Sequence, residues 1–383
     1  MTVEQEIPLE HRNFVEQAVA LAHTVEGRTS PNPPVGAIVR RDDSVVGAGA
    51  TQPPGQAHAE RMALQAAGPA AQGGDLYTTL EPCTFHGQTP PCTDAIIAAG
   101  ICRVFYIAPD LDPRMGAGAT AVLNKAGIEV HRLPDPGGAV AALLAPFRCR
   151  VALGRPLVTA KYAMTLDGRI ATVTGESQWI SGPASRLQVH LLRDRVDAMM
   201  VGVGTILTDD PLLTTRLDNH WRTPNQPLRV IVDSRGRTPL NARLLDPMLP
   251  GKTLCATVDP PAAWVAAVER FGASVERLPA DANGRVALPE LLTRLAALGV
   301  NHLLVEGGST LFGALAAARL IDEVWAFIAP KLLGGATALG PVGDPGIARL
   351  SDALTLVTRR VERHGDDLLL VATAAAAPWW DVV

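Results

Sequence analysis

The chain has 383 residues, with 34 basic and 38 acidic side chains, a net charge of −4 and only 4% aromatic residues. That length suits two domains, each with its own core, and the charge offers no basic surface for nucleic acid. The opening residues do not read as a leader, and no apolar run is long enough to span a bilayer, so the expectation is a soluble, cytoplasmic protein acting on a small molecule. Five scattered cysteines, an odd number, fit a reducing compartment rather than a disulfide framework, and Cys102, Cys149 and Cys255 read as core thiols or bystanders.

In chain order, "HRNFVEQAVALAHTVEG" places Phe14, Val15, Ala18, Val19, Ala22 and Val25 at helical spacing, which predicts an amphipathic helix with that face in the core. "VGAIVRRDDSVVGAGA" predicts a hairpin turning between Arg41 and Ser44. "GQAHAERMALQAAG", set between Pro53-Pro54-Gly55 and Gly68-Pro69, predicts a buried helix with His58 and Glu60 in its first turn. A strand then ends at Leu80, Cys83 follows, and a polar loop leads to Cys92 just before another helix. The strand "RVFYIAP" and the helix and strand of "ATAVLNKAGIEVHRL" complete an α/β sandwich. Pro and Gly clusters bracket a short helix-like run in "LPDPGGAVAALLAPFRCRVALGRP", and the domain boundary is set there, near residue 152. Beyond it, "PLVTAKYAMTLDG", "PASRLQVHLLRDRV", "DAMMVG", "LRVIVDS", "TLCATVD", "ASVERL", "HLLVEGG" and "DEVWAFIAP" again alternate strand and helix, a second α/β domain.

A lone His or Glu at a helix start is usually solvated or a favourable partner of the helix dipole. Two thiols nearby change the weighing. Zinc takes thiolate and imidazole ligands in a tetrahedron, and a catalytic site uses three so that the fourth position holds water. His58, Cys83 and Cys92 fit that count, and Glu60 is suited to move the water's proton. Zinc nucleobase deaminases carry His-x-Glu followed by Pro-Cys-x-x-Cys. Here His58-Ala59-Glu60 and Pro82-Cys83 match, but eight residues rather than two separate Cys83 from Cys92.

In the second part, "GVGTIL" keeps only two glycines of a Rossmann fingerprint. "HLLVEGGSTLFGALAAARL" is more informative: an apolar strand meets Gly307-Gly308 and a helix capped by Ser309 or Thr310. Free N–H groups at such a start suit a dinucleotide phosphate, though a plain tight turn reads equally well.

The long spacing with "LEPC", "HGQTPPC" and "RVFYIAP" resembles the deaminase half of the bifunctional riboflavin-biosynthesis deaminase/reductase family. "KYAMTLDGRIA", "GESQWIS", "GVGTILTDDPLLTTR" and "VEGGSTLFGAL" through "DEVWAFIAPKLLGG" resemble its reductase half, so the likeness runs from about Asn13 to about Gly335. It implies a cytidine-deaminase-like α/β/α sandwich over residues 1–151, a dihydrofolate-reductase-like α/β domain over 152–375 and a tail over 376–383, whose two Trp are candidates to dock on a neighbour. It implies zinc on His58, Cys83 and Cys92, Glu60 as the catalytic proton carrier, and Asn32 as a substrate contact. It places NADPH at Ala163, Trp179, Thr205, Asp209, Ser234 and Gly308, Ser309, Thr310, Leu311, Phe312, Gly313 and Ala314. Substrate contacts fall on Ser177, Arg193, Leu213, Arg216 and Glu306, the two Arg being suited to fork onto a sugar phosphate. Lys161 and Asp167 share a motif there, read as a polar contact near the ribose and a turn former. The implied partner is a phosphorylated pyrimidine, with neither nucleic acid nor membrane, and the implied state is a homo-oligomer.

The deaminase pocket departs from the family pattern at Thr51, Phe85, Gln88 and Asp112, where two His, a Lys or Arg and an Asn are usual. Losing a cation and adding a carboxylate weakens a phosphate site, which Arg114 is placed to repair. An altered amino-pyrimidine substrate is the alternative, and drift at tolerant positions the plainer one. Two rivals rank lower. A nucleoside or nucleic-acid deaminase with an accessory domain needs stacking aromatics or a basic groove, and a structural zinc module prefers four ligands, for which only His86 is a spare.

Overall fold

The structure is a computed structural model describing residues 7–218, 222–344, 346–375 and 378–380. The chain forms two compact units. One holds residues up to Gly154 together with the turn Pro378–Trp380; the other runs from Arg155 to the last strand.

The first unit contains α1 (Leu9–His23), β1 (Gly36–Arg41), β2 (Ser44–Ala50), α2 (Ala59–Ala67), β3 (Asp75–Leu80), α3 (Cys92–Ala98), β4 (Arg103–Ala108), α4 (Gly118–Lys125), β5 (Glu129–Arg132) and α5 (Ala139–Leu153). Its sheet has the order β2-β1-β3-β4-β5. β1 is antiparallel to both neighbours, and β3, β4 and β5 are parallel. Every residue of β3 is buried, as a strand covered on both faces requires. α1 buries Phe14, Val15, Ala18, Val19 and Ala22, but it stops at His23, so Val25 lies beyond the helix and is only half-buried.

α2 lies unusually close to the sheet because β2 has no side chain beneath it at Gly47 and Gly49. A Cβ on Gly49 would stand 2.5 Å from the Ala63 nitrogen and 2.7 Å from the Ala59 oxygen; one on Gly47 would stand 2.2 Å from the Ala63 oxygen. These are backbone atoms, so the helix itself would have to move. Since α2 carries Glu60 and is entered through His58, we expect Gly49→Val to lower zinc content and ammonia release together, roughly 10²-fold for the latter, as a misplacement of about 1 Å does. Metal analysis and a deaminase assay on the folded variant check this. Unchanged zinc with full activity would show that the close approach does not set the site.

The second unit contains β6 (Leu157–Thr165), α6 (Pro183–Arg193), β7 (Ala198–Gly202), α7 (Val203–Asp209), β8 (Leu228–Val232), β9 (Thr253–Thr257), α8 (Ala262–Arg270), β10 (Ser274–Arg277), α9 (Leu288–Ala297), β11 (His302–Val305), α10 (Ser309–Ala317), β12 (Glu323–Ala329), β13 (Leu356–His364) and β14 (Asp367–Ala374). The sheet order is β10-β9-β8-β7-β11-β6-β12-β14-β13. It is parallel from β10 to β12 and closes with the antiparallel β14 and β13. Successive side chains of a strand alternate faces, and the two cores follow that alternation. Ala198, Met200, Leu303 and Val305 join α9 and α10 on one face; Met199, Val201 and Leu304 join α6 and α8 on the other.

Two features lay outside the sequence expectation. The β13–β14 hairpin was not anticipated, because β13, "LVTRRVERH", is exposed along nearly its whole length and shows no apolar alternation. The described part of the carboxy-terminal segment folds with the first unit: Trp379 is buried and its carbonyl accepts from Arg148 Nη1 of α5 at 3.2 Å.

Candidate active sites

The first unit brings its three donor residues together. His58 is the residue before α2, Cys83 follows β3, and Cys92 opens α3. His58 Nδ1 lies 3.6 Å from Cys83 Sγ and 3.4 Å from Cys92 Sγ. A tetrahedral zinc with bonds of about 2.3 Å to sulfur and about 2.0 Å to nitrogen holds such atoms about 3.5 Å apart. The donor set therefore fits zinc in both chemistry and spacing. The other imidazole nitrogen, Nε2, stands 3.5 Å from Thr89 Oγ1, while Nδ1 faces the thiols.

Cys83 is held low by the hydrogen bond it accepts from the Cys92 thiol, by the His58 ring and by the Cys92 N–H at 3.3 Å, while the same thiol contact and burial push Cys92 up, so that of the two free thiols only Cys83 is favoured as thiolate. Glu60 is buried in the second position of α2; burial, reinforced by the Cys83 charge, lifts its carboxyl to about 7. His86 is exposed and stands outside the group, leaving three donors among the described residues.

Beside these donors lies a cavity of about 260 Å³ lined by Asn32, Thr51, Phe85, Gln88, Asp112 and Arg114 among others. The unusual positions are coupled there. Arg114 forks onto Asp112, with Nε to Oδ1 at 2.9 Å and Nη2 to Oδ2 at 2.5 Å, and its guanidinium lies 4.1 Å above the Phe85 ring. The Arg114 cation is thus shared with Asp112 rather than presented alone. Thr51 turns to the backbone, accepting from Val35 N at 3.1 Å. α5 contributes Phe147 and Arg150 to the same cavity, and Arg150 Nη2 donates to the Pro31 carbonyl beside Asn32 at 3.0 Å. Sequence reading missed both; the helix-like run "ALLAPFRCRVAL" was recognised just before the domain boundary, but nothing in it marked these two side chains as facing a site.

In the second unit a cleft of about 850 Å³ opens at the carboxyl ends of β6, β7, β8 and β11, the end where open α/β sheets bind ligands. Ala163, Thr205, Asp209, Ser234, Gly308, Ser309, Thr310, Leu311, Phe312 and Ala314 line it, as do Ser177 and Glu306. Gly308 precedes α10 with φ +91°, a conformation L side chains avoid, and neither Ser309 nor Thr310 caps the helix with its side chain. Gly313 does not line the cleft; it packs on the Gly343 and Asp344 carbonyls. Trp179 stands exposed with Arg186 over its ring, outside the lining residues.

Arg193 does not reach for a ligand. Its Nε and Nη2 fork onto Glu306 at 2.5 and 2.8 Å, and Nη1 donates to the Thr214 carbonyl at 2.8 Å. Lys161 Nζ lies 3.8 Å from Glu306. Burial alone raises the Glu306 carboxyl, but Arg193 and then Lys161 carry it down to about 2. His190, burdened by burial and by Arg193 and Arg216, is lowered to about 4 and is neutral at pH 7. Arg216, exposed, donates Nη1 to Thr214 Oγ1 at 3.1 Å and keeps donors for a ligand. Leu213 is buried with φ +48°, and Asp167 ties Thr165 to the Leu333 and Gly334 backbone as a turn residue does.

Known proteins carry the same two halves. Residues 9–108 match the cytidine and deoxycytidylate deaminase zinc-binding region, and residues 156–370 match the RibD C-terminal domain. The riboflavin biosynthesis protein RibD of Actinobacillus pleuropneumoniae is 37% identical over 360 residues, 94% of each chain. The chain belongs to the RibD family. Its first unit is the family's zinc-binding deaminase half and its second the reductase half. The Escherichia coli K12 RibD is also 37% identical, over 368 residues. Among solved structures, the diaminohydroxyphosphoribosylaminopyrimidine deaminase/5-amino-6-(5-phosphoribosylamino)uracil reductase of Thermotoga maritima superposes with a TM-score of 0.81 at 31% identity, covering 96% of this chain and 99% of its own. Acinetobacter baumannii RibD does so at 0.84 and 33%, with the same coverage. The two-domain α/β architecture of the family therefore holds for this chain.

Proposed function

We propose that this chain performs two successive reactions: hydrolytic deamination of 2,5-diamino-6-ribosylamino-4(3H)-pyrimidinone 5′-phosphate in the first unit, and NADPH-dependent reduction of the ribosyl group to a ribityl chain in the second. The observation that carries the reading is the convergence of His58, Cys83 and Cys92 beside buried Glu60 in a chain that also holds the reductase cleft. Zinc held by those three residues supplies Lewis acidity that makes water a nucleophile near neutral pH. Glu60 takes the proton released from water and returns it to the departing amine, so that ammonia leaves and a carbonyl remains. Asn32 and Gln88 line the cavity as polar groups for the pyrimidine edge. In the second unit NADPH supplies hydride. The start of α10 orients its phosphates, Glu306 with Arg193 and Lys161 forms a fixed polar wall for the substrate, and Arg216 faces the sugar phosphate.

The reading extends to a cytoplasmic homo-oligomer that handles small molecules rather than nucleic acid or membrane. A net charge of −4 offers no basic surface for nucleic acid, and among the described residues no helix is long and apolar enough to cross a membrane. The test is a paired assay on zinc-loaded, full-length protein: ammonia release from the diaminopyrimidinone without NADPH, then NADPH oxidation on the deaminated product. Chelation should abolish the first and leave the second within about twofold, since a catalytic zinc is needed only where water is activated. Reduction without any ammonia release by the zinc-loaded protein would leave the reductase and overturn the deaminase substrate.

A further inference from the structure

α5 sends two side chains into the deaminase cavity, and both come from the half of the helix that its own backbone secures less well. We propose that the turn Pro378–Trp380 is a positioning element of the deaminase site: by holding Arg148 it keeps the part of α5 after Pro146, and with it Phe147 and Arg150, in place against the cavity. The proposal rests on the deaminase reading above and goes beyond it.

The first half of α5 is anchored at its start. Asp135 accepts from Val140 N at 2.9 Å and from Ala141 N at 2.7 Å, and Val140 and Leu144 pack in the core of the first unit. Pro146 then interrupts the helix. It has no N–H to offer the Ala142 carbonyl, and its ring crowds the preceding turn, so the residues that follow depend more on contacts made outside the helix.

Trp379 supplies such a contact. The residue is buried, and its carbonyl accepts from Nη1 of Arg148, itself buried, at 3.2 Å. A buried guanidinium needs its donors met, and an indole out of water fixes the backbone that carries it, so the turn and α5 hold each other. On either side of Arg148, Phe147 and Arg150 line the cavity, and Arg150 Nη2 donates to the Pro31 carbonyl at 3.0 Å. The Asp112 carboxyl, held low first by Arg114, is lowered further by the charge of Arg150. With Arg114 forked onto Asp112, Arg150 is the second guanidinium of the lining, and a phosphorylated substrate is gripped less tightly if it withdraws. The metal donors stand beside α2, β3 and α3, so a shift confined to the end of α5 leaves them in place.

The measurement combines hydrogen exchange, followed by mass spectrometry, with deaminase kinetics on full-length, zinc-loaded Trp379→Ser and Trp379→Phe. In Trp379→Ser the amides of residues 147–153 should exchange at least about tenfold faster while β3 and β4 keep their rates. The KM for the diaminopyrimidinone should rise about tenfold, as for one charged hydrogen bond lost, with kcat, zinc content and NADPH oxidation within about twofold. Trp379→Phe, which keeps an apolar ring, should restore both. Arg150→Met should raise the KM by the same factor, and adding Trp379→Ser to it should raise it no further, because both changes remove one interaction. Unchanged exchange in α5, or an unchanged KM, overturns the proposal. So does a fall in zinc content or faster exchange throughout the first unit, since the turn would then support the whole fold, and so do effects that multiply in the double variant. Wild-type protein that releases no ammonia overturns the deaminase reading beneath, and exchange in α5 then decides by itself whether the turn holds the helix.

Discussion

Glu60→Gln is expected to lower ammonia release roughly 10³-fold, the range set by loss of a positioned proton carrier, with zinc content and NADPH oxidation unchanged. Gln keeps the volume of a side chain that is 4% exposed, so α2 has no cause to shift. It does not keep a group able both to take a proton from water and to give it to the amine. Glu60 is not one of the three converging metal donors, and the paired readout separates its role from metal binding. Zinc lost along with activity would make Glu60 a structural support of the site, and retained activity would move the proton to another carrier such as Asp110, which lines the same cavity and is raised by burial to about 6.

Arg193→Met is expected to destabilise the second unit by about 3 kcal/mol, the lower part of the range for stripping one partner from a buried pair. Glu306 has a side chain 5% exposed, and Arg193 supplies both hydrogen bonds to its two oxygens. Lys161 at 3.8 Å remains as a partial partner, which keeps the loss toward the lower figure. The pH dependence has a definite sign. In the intact protein the folded carboxyl titrates near 2 against an ordinary 4.5. Protons therefore favour the unfolded chain in that interval: the pair's contribution is whole above 4.5 and is lost as pH falls toward 2. In the variant, burial without the guanidinium raises the folded pKa, so the deficit relative to wild type should shrink on acidification. Adding Glu306→Gln should recover part of the loss, since a neutral amide needs no counter-ion. Urea unfolding followed by circular dichroism between pH 4 and 8 tests both. A deficit independent of pH and untouched by the second substitution would mean that Arg193 acts through packing alone.

The deaminase motif was legible in the sequence because its chemistry is local. His58-Ala59-Glu60 and Pro82-Cys83 lie beside element ends that short-range signals mark: the Pro53-Pro54-Gly55 turn, the strand ending at Leu80, the helix opening at Cys92. The alternation of strand and helix declared two α/β domains for the same reason, since a period is a property of neighbouring residues. The glycine turn before α10 was equally plain, as the backbone conformation at Gly308 demands that residue whatever surrounds it.

Contacts between distant segments could not be read that way. Arg193 and Glu306 are 113 positions apart, and a guanidinium suited to phosphate looks the same in sequence as one committed to a carboxylate. Nothing in the run of residues says that Arg114 turns back onto Asp112 and covers Phe85, that α5 sends Phe147 and Arg150 into the deaminase cavity, or that Trp379 folds onto Arg148. Ser234 and Val286 meet only because two loops converge at the end of the sheet. The sequence by itself determined the periodic elements, though not the exposed β13–β14 hairpin, together with the two α/β halves and the types of side chain available for chemistry. Tertiary structure decided which charges face each other and which remain open to a ligand, because pairing and desolvation depend on distances through space that chain separation does not encode.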